Sequence, residues 1–245
     1  MMKIYVIGIG PGNQEYMTPQ ARSAIEKSDV VVGYTLYVEL VRELTEGKEV
    51  KSTAMKQEVD RCRMALESAL EGKTVAFVCS GDAGVYGMAG VMAEVAEDHP
   101  EVEIEVVPGI TAACSGAAVL GAPLIHDFAV ISLSDLLTPW ELIEKRLALA
   151  AEADFVICLY NPKSKKRHDY IDKAAEIISR SRSWDTPCGY VKNIGRDEEK
   201  GVVCTLKELA GNDDIDMFTT VFIGNSSTKM INGKMVTPRG YRNIR

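Results

Sequence analysis

The chain has no Cys-x-x-Cys pair, only three histidines, no excess of positive charge and no long apolar run. Each absence removes a class of function. The six cysteines (Cys62, Cys79, Cys114, Cys158, Cys188 and Cys204) are widely spread, a spacing that fits neither a zinc nor an iron–sulfur site, so no metal is expected. Several sit inside apolar runs, such as Val78-Cys79 and Ile157-Cys158-Leu159, and read as reduced core residues. A formal net charge of −7 argues against a nucleic-acid partner, which calls for a basic face. Nothing resembles a signal peptide and no stretch is apolar for long enough to span a bilayer, so a cytoplasmic protein without a membrane partner is expected.

What is present is an ordinary apolar fraction, 46% of 245 residues, enough for one large or two modest domains. Strand and helix signals alternate, which points to an α/β fold. Strands are expected at residues 3–8, 30–33, 74–79, 103–107, 129–133, 155–159, 189–191 and 219–223. A helix over Glu58–Glu71 places Val59, Cys62, Leu66, Ala69 and Leu70 on one face and stops at Gly72. Thr138-Pro139-Trp140-Glu141 reads as a capping box with proline at the first helical position, with Trp140, Ile143, Leu147 and Ala150 inward. Asn232-Gly233 between short apolar pairs reads as a hairpin turn, which brings antiparallel strands into the C-terminal half. The small-residue run Thr111–Ala118 is either a tightly packed helix bridging two halves or a plain buried helix, and the domain break is expected there, dividing 1–112 from 113–245.

The most informative segment is Gly8-Ile9-Gly10-Pro11-Gly12, directly after the first strand. Glycine there lets a ligand approach the backbone. The sequence argues against a dinucleotide site: the third glycine comes one residue early, Pro11 lacks an amide donor, and the second strand ends in Gly33-Tyr34 with no acid for a ribose. Two more glycine turns, Ser80–Gly84 and Pro108–Thr111, follow strands and should reach the same sheet edge. Within them Asp82 either contacts a ligand or caps a helix beginning near Val85. Tyr160-Asn161-Pro162 and Gly224–Thr228 follow strands of the second half. A cleft fed by loops from both halves would suit a small molecule.

These segments, in this order, resemble the tetrapyrrole methylases, over essentially the whole chain. The carrying motifs are Gly8-x-Gly10-Pro11-Gly12 with Thr18-Pro19-x-Ala21, then Ser80-Gly81-Asp82, then Pro108-Gly109-Ile110-Thr111-Ala112. Ala83 in Gly81–Ala89, together with Gly121–Phe128, Ile131–Trp140, Leu159–Pro162, Gly189–Arg196 and Met217–Ser226, is similar to the branch that methylates C17 of precorrin-3B-type macrocycles. The resemblance implies a two-domain class III methyltransferase fold, with a mainly parallel N-terminal sheet and a mixed C-terminal sheet. It also implies S-adenosyl-L-methionine as cofactor in a cleft between the domains, and a homodimer. The implied reaction is C17 methylation with ring contraction in cobalamin synthesis. Carried over residue by residue, the cofactor contacts are Pro11, Gly81, Asp82, Thr111, Ala112, Tyr160, Asn161 and Asn225, with Gly10 beside the substrate. Rivals are another methylase of the same fold (one acting at a different macrocycle carbon, or on diphthamide), a nicotinamide-dependent oxidoreductase and a non-catalytic tetrapyrrole carrier.

Such a substrate is rich in carboxylates, so an acidic chain needs local positive charge. Lys163, Lys165, Lys166 and Arg167 follow Tyr160-Asn161-Pro162; they are either substrate contacts or a solvated basic turn. Arg239, Arg242 and Arg245 form a second basic group at the tail. His126 with Asp127 is a candidate for proton handling, and the alternative is a structural histidine. Ser132, Ser134 and Asp135 follow a strand and either face the same cleft, with Asp135 a further proton carrier, or only form the turn before Thr138.

Overall fold

Val30-Val31-Val32 and Val75-Ala76-Phe77-Val78 are apolar without alternation, which is the pattern of strands covered on both faces. The computed structural model, which describes residues 2–164 and 168–241, places them accordingly. The chain divides into two units, Met1–Ala112 and Ala113–Arg245.

The first unit runs β1 (Lys3–Gly8), α1 (Pro19–Glu26), β2 (Val30–Tyr34), α2 (Thr35–Leu40), β3 (Glu49–Thr53), α3 (Glu58–Leu70), β4 (Thr74–Cys79), α4 (Ala89–Val95) and β5 (Glu103–Val107). The sheet order is β3-β2-β4-β1-β5, and every pair is parallel. Alternate side chains face opposite layers. Ile4, Val6, Val30, Val32, Val75 and Phe77 pack with Cys62, Ala65 and Leu66 of α3. Ile7, Val31, Ala76 and Val78 pack with Ala21, Ala24 and Ile25 of α1. Met92 of α4 lies in the α3 layer, so the connections leaving β1 and β4, adjacent strands, cover opposite faces. In open α/β sheets this opens a crevice at the strands' carboxyl ends. Thr18 caps α1, its Oγ1 accepting from Ala21 N–H at 3.1 Å, with Pro19 at the first helical position.

The second unit continues with α5 (Ala112–Leu120), β6 (Gly121–Ala122), β7 (Phe128–Ser132), α6 (Trp140–Glu152), β8 (Val156–Tyr160), α7 (Tyr170–Ser179), β9 (Pro187–Lys192), β10 (Lys200–Thr205), α8 (Leu206–Leu209), β11 (Thr219–Ile223), β12 (Lys229–Ile231) and β13 (Lys234–Val236). Its main sheet has the order β10-β9-β11-β8-β7, parallel only between β7 and β8. The hairpin at Asn232-Gly233 joins β12 to β13, and β6 completes that small sheet. The small residues of α5 let it lie close on the main sheet. A Cβ on Gly116 would stand 2.8 Å from Phe222 Cζ and 3.0 Å from Ile194 Cδ1.

Several local expectations are corrected. Helix α6 begins at Trp140, with Pro139 as an extended N-cap (ψ 141°) and no side-chain capping bond, so Thr138 forms no capping box. Its inward face is as expected: Ile143 and Leu147 are buried, joined by Ala151, and Trp140 and Ala150 pack partly buried against the same core. Helix α3 buries Arg61, Ala65 and Ser68 alongside Cys62, Leu66 and Ala69, while Val59 and Leu70 are exposed. Strands β3 and β10 were not anticipated; β3, Glu-Val-Lys-Ser-Thr, is a polar edge strand without the apolar signature. Of the cysteines, Cys114 is exposed and Cys204 half-buried; the other four are buried, and burial pushes the Cys79 thiol up to about 12.

Candidate functional site

Three loops leave the carboxyl edge of the N-terminal sheet and lock together through backbone. Gly10 and Gly81 exchange N–H···O bonds of 3.1 and 2.7 Å, extending the β1–β4 pairing into the loops. Gly8 and Gly109 are glycine because nothing larger fits. A Cβ on Gly8 would stand 2.7 Å from Gly109 N and Gly81 O, and one on Gly109 would stand 2.2 Å from Gly81 O. Pro11 is buried in this junction.

Asp82 ties the junction from the side. Its Oδ1 accepts from Gly84 N–H at 2.8 Å and Val85 N–H at 3.1 Å; its Oδ2 accepts from Gly109 N–H at 2.9 Å. No helix begins at Val85, since α4 starts at Ala89 with Met88 as its N-cap, so the helix-cap alternative falls. The carboxylate holds a turn and a neighbouring loop. Gly81 differs from the other two junction glycines. It has φ +69°, and a Cβ there would meet only Thr111 Cα at 3.8 Å, Ala112 N at 3.9 Å and Ile110 O at 4.0 Å. A side chain at Gly81 would thus make ordinary contact with the 110–112 backbone, and it is the positive φ that favours glycine there.

A second cluster forms at the carboxyl ends of β7 and β8. Parallel pairing sets Ser132 beside Tyr160. Asn161, left-handed at φ 52°, donates from Nδ2 to Ser132 Oγ at 2.9 Å, and Ser134 N–H donates to the same oxygen at 3.2 Å. Tyr160 Oη accepts from Ala113 N–H at 2.7 Å, which fixes the start of α5. Asp135 is exposed and accepts from Tyr170 Oη at 2.6 Å. The Tyr170 ring packs on Trp140 at 4.4 Å, and Lys173 Nζ lies 5.0 Å from it. Tyr170 was missed in the sequence because thirty-five residues separate it from Asp135 and its only signal was helical periodicity.

Other candidates stand apart. His126 and Asp127 are exposed and precede β7, whereas Ser132, Ser134 and Asp135 follow it. At about 3.3 Å per residue the strand separates the two groups by about 20 Å, so they do not form one constellation. Asn225 is buried; its Oδ1 accepts from Ser227 N–H, Ser227 Oγ and Thr228 Oγ1, which spends it on its own turn. Lys163 is half-buried, donating to Asn212 O at 3.3 Å and pairing with Asp213 at 3.2 Å. Lys165, Lys166, Arg167, Arg242 and Arg245 lie outside the described residues; Arg239 is exposed. Among the described residues no group of three or more His, Cys, Asp or Glu side chains is gathered as for a metal. No helix among them is long and apolar enough to cross a membrane.

Comparison with known proteins agrees with this architecture. The chain is 51% identical to the cobalt-factor III methyltransferase of Priestia megaterium over 98% of its own length, although it spans only 45% of that relative. It is 48% identical to the probable cobalt-factor III C(17)-methyltransferase of Salmonella typhimurium, covering 96% of this chain and 98% of that one. Among solved structures, that of the methyltransferase CobJ superposes with a TM-score of 0.88 at 38% identity, over 96% of this chain and 99% of the other. The family described as Tetrapyrrole (Corrin/Porphyrin) Methylases matches residues 3–210. Parallel N-terminal sheet, mixed C-terminal sheet, ordered glycine loops and family match lead to one conclusion: the chain belongs to the tetrapyrrole methylases.

Proposed function

We propose that the protein transfers a methyl group from S-adenosyl-L-methionine to C17 of a cobalt-factor III-type macrocycle, with ring contraction, in cobalamin synthesis. The observation that supports the cofactor assignment is the joining of the three glycine loops, through Gly10–Gly81, Gly8–Gly109 and Asp82–Gly109, at the carboxyl edge of the parallel sheet. Glycine loops at the carboxyl edge of a parallel sheet are where a ligand can approach backbone. Bound there, the cofactor supplies a methyl group already activated on a sulfonium, and transfer to carbon leaves S-adenosylhomocysteine. The task of the chain is then alignment. Pro11, Gly81, Thr111 and Ala112 offer backbone to the cofactor, and Asp82 holds the loops that carry them. Tyr160 and Asn161 are carried over as further contacts by the family resemblance, Asn161 also orienting Ser132. Gly10, Ser132, Ser134 and Lys163 are assigned to the substrate. Asp135 is assigned to proton handling, with Tyr170 hydrogen-bonded to it.

The names of the two curated relatives favour the cobalt-loaded substrate over the metal-free one. A homodimer is expected on the family resemblance, and light scattering tests it. The function is tested by incubating the protein with S-adenosyl-L-methionine and either cobalt-loaded or metal-free macrocycle, and resolving products by mass spectrometry. One added methyl on a contracted ring, from the cobalt form, is the expected product. Methylation at another carbon would move the protein to a different methylase of the fold. Calorimetry with S-adenosylhomocysteine and NAD separates the oxidoreductase rival, which requires NAD to bind.

A further inference from the structure

Two arginines are buried among the described residues, and they differ in one respect. Arg182 is 8% exposed and well partnered: it donates to the carbonyl oxygens of Ala151, Phe155 and Gly224 and pairs with Asp154. Arg61 is 4% exposed, in the first turn and a half of α3. Its guanidinium makes one hydrogen bond, Nε to Thr53 Oγ1 at 3.2 Å, and lies 5.8 Å from the centre of the Tyr34 ring. Among the described residues no carboxylate pairs with it. The nearby acids are committed elsewhere: Asp60 to Arg63, and Glu58 to the Lys56 N–H.

A guanidinium carries five N–H donors in a rigid fork. Leaving its terminal nitrogens dry and unpaired is costly. Nothing in α3 requires an arginine here, since a leucine or methionine would satisfy the same buried stripe. The place is informative as well. Tyr34 and Thr53 are the last residues of β2 and β3, paired side by side in register. They stand on the same carboxyl edge as the three glycine loops. With strands about 4.8 Å apart, this point lies about 10–15 Å along the edge from the Gly8–Gly12 loop.

We propose that Arg61, with Thr53 and Tyr34, forms a carboxylate-binding site at the β2–β3 end of this edge. The terminal nitrogens receive the carboxylate in the bidentate geometry that guanidinium and carboxylate share. Thr53 fixes the plane of the guanidinium through Nε, and Thr53 is itself held by Thr35 Oγ1, which donates to its carbonyl at 3.1 Å. The half-buried ring of Tyr34 borders the entry and keeps the pair out of bulk water, where it would be weak. The site rests on the methyltransferase reading for its ligand. The carboxylate comes either from a side chain of the macrocycle or from the aminoacyl end of the cofactor.

The test compares wild type with Arg61→Met and Arg61→Lys. Melting temperature is measured first; cobalt-loaded macrocycle and S-adenosylhomocysteine are then titrated separately. If the charge is unpaired in the free protein, Arg61→Met melts no lower than wild type and binds one of the two ligands about 10- to 100-fold more weakly, as loss of a charge-assisted pair implies. Which ligand weakens identifies the source of the carboxylate. Unchanged affinity for both overturns the proposal. Should Arg61→Met fail to fold, Arg61→Lys decides: it keeps the charge and loses the fork, and weakened binding at unchanged melting temperature supports the site, whereas full affinity overturns it. Unfolding of both variants also overturns it, since the guanidinium would then serve the fold. A wild-type protein that binds neither ligand refutes the methyltransferase reading instead, and that outcome is read before any variant is made.

Discussion

Replacing Asp82 by alanine removes three acceptor contacts at once, and the structure says how much each is worth. The bonds from Gly84 and Val85 are exposed, so water replaces them at little cost; the bond from Gly109 N–H is partly buried. Hydrogen bonds to a charged acceptor contribute about 1.5–3 kcal/mol when shielded and less when wet. The total loss is then about 2–3 kcal/mol, which for a chain of this length lowers Tm by roughly 5–10 °C. Asp82→Asn tests the tie to Gly109 by itself. One amide oxygen still serves the Gly84–Val85 turn, but the amide nitrogen meets the Gly109 N–H donor to donor. Scanning calorimetry of both variants, followed by titration with S-adenosylhomocysteine, is the assay. The expected result is a lowered Tm and an affinity reduced at least tenfold in both variants, because the Pro108–Ala112 loop loses its tie. A Tm equal to wild type in Asp82→Ala would refute the stability argument. A lowered Tm with unaltered affinity would show that the three-loop junction is not where the cofactor sits.

Asp135→Asn should retain cofactor affinity and lose turnover by roughly 10²–10⁴-fold, while His126→Asn, at the other end of β7, should turn over nearly as wild type; the reverse pattern in single-turnover product analysis would return proton handling to His126. Arg182→Met removes the guanidinium from three carbonyl oxygens and from Asp154, which keeps its two bonds from Ser226, and should cost about 3 kcal/mol; an unshifted urea midpoint would show that these groups find water instead. Stability should also fall on acidification. Asp214 is held below the usual carboxylate range by Lys200 and then Tyr190. Burial pushes Asp216 the other way and is outweighed by its bonds to Lys192, the Phe218 N–H and Thr219. Groups lowered in the folded state stabilise it above their unfolded pKa, about 3.9, and that contribution is lost as pH falls through the folded value. Tm should therefore decline below about pH 4, less steeply in an Asp214→Asn, Asp216→Asn double variant, and an identical decline in both proteins would exclude these two residues.

Sequence legibility followed the physics of each element. Strands β1, β4 and β11 were readable to the residue because side chains covered on both faces leave a mainly apolar run, and edge strand β5 because its β-branched residues end at the turn Pro108-Gly109. The glycine loops were readable because only glycine tolerates such backbone approach, as the blocked Cβ positions of Gly8 and Gly109 show. Edge strand β3 was not readable, since Glu-Val-Lys-Ser-Thr carries a single apolar residue. The burial of Arg61 was hidden because a charged residue near the start of a helix reads as solvated, and only the packing of α3 on β2 and β4 shows otherwise. The grouping of His126 with Ser132–Asp135 failed for a reason the sequence already contained. A strand between them places them at its opposite ends, and proximity along the chain is not proximity in space.

The charge of the chain gives the two positive candidates opposite signatures. Several described cations already face acids: Lys3 pairs with Glu103 and Glu105, Lys73 with Glu49 and Glu71, Lys192 with Asp216 and Lys200 with Asp214. Lys163 belongs with them through Asp213. To hold a substrate carboxylate it must exchange one anion for another near solvent, a trade worth little and screened over about 8 Å at physiological ionic strength. Arg61 has no anion to give up and is already dehydrated. Its pairing gains the full low-dielectric interaction, and salt reaches it poorly. A polyanionic ligand held chiefly through Arg61 should therefore bind an acidic protein with a shallow salt dependence, whereas one held through exposed loop lysines should weaken steeply as salt rises. The net charge of −7 is compatible with the first arrangement, because a buried, unpaired guanidinium acts at contact and does not depend on the long-range field of the surface.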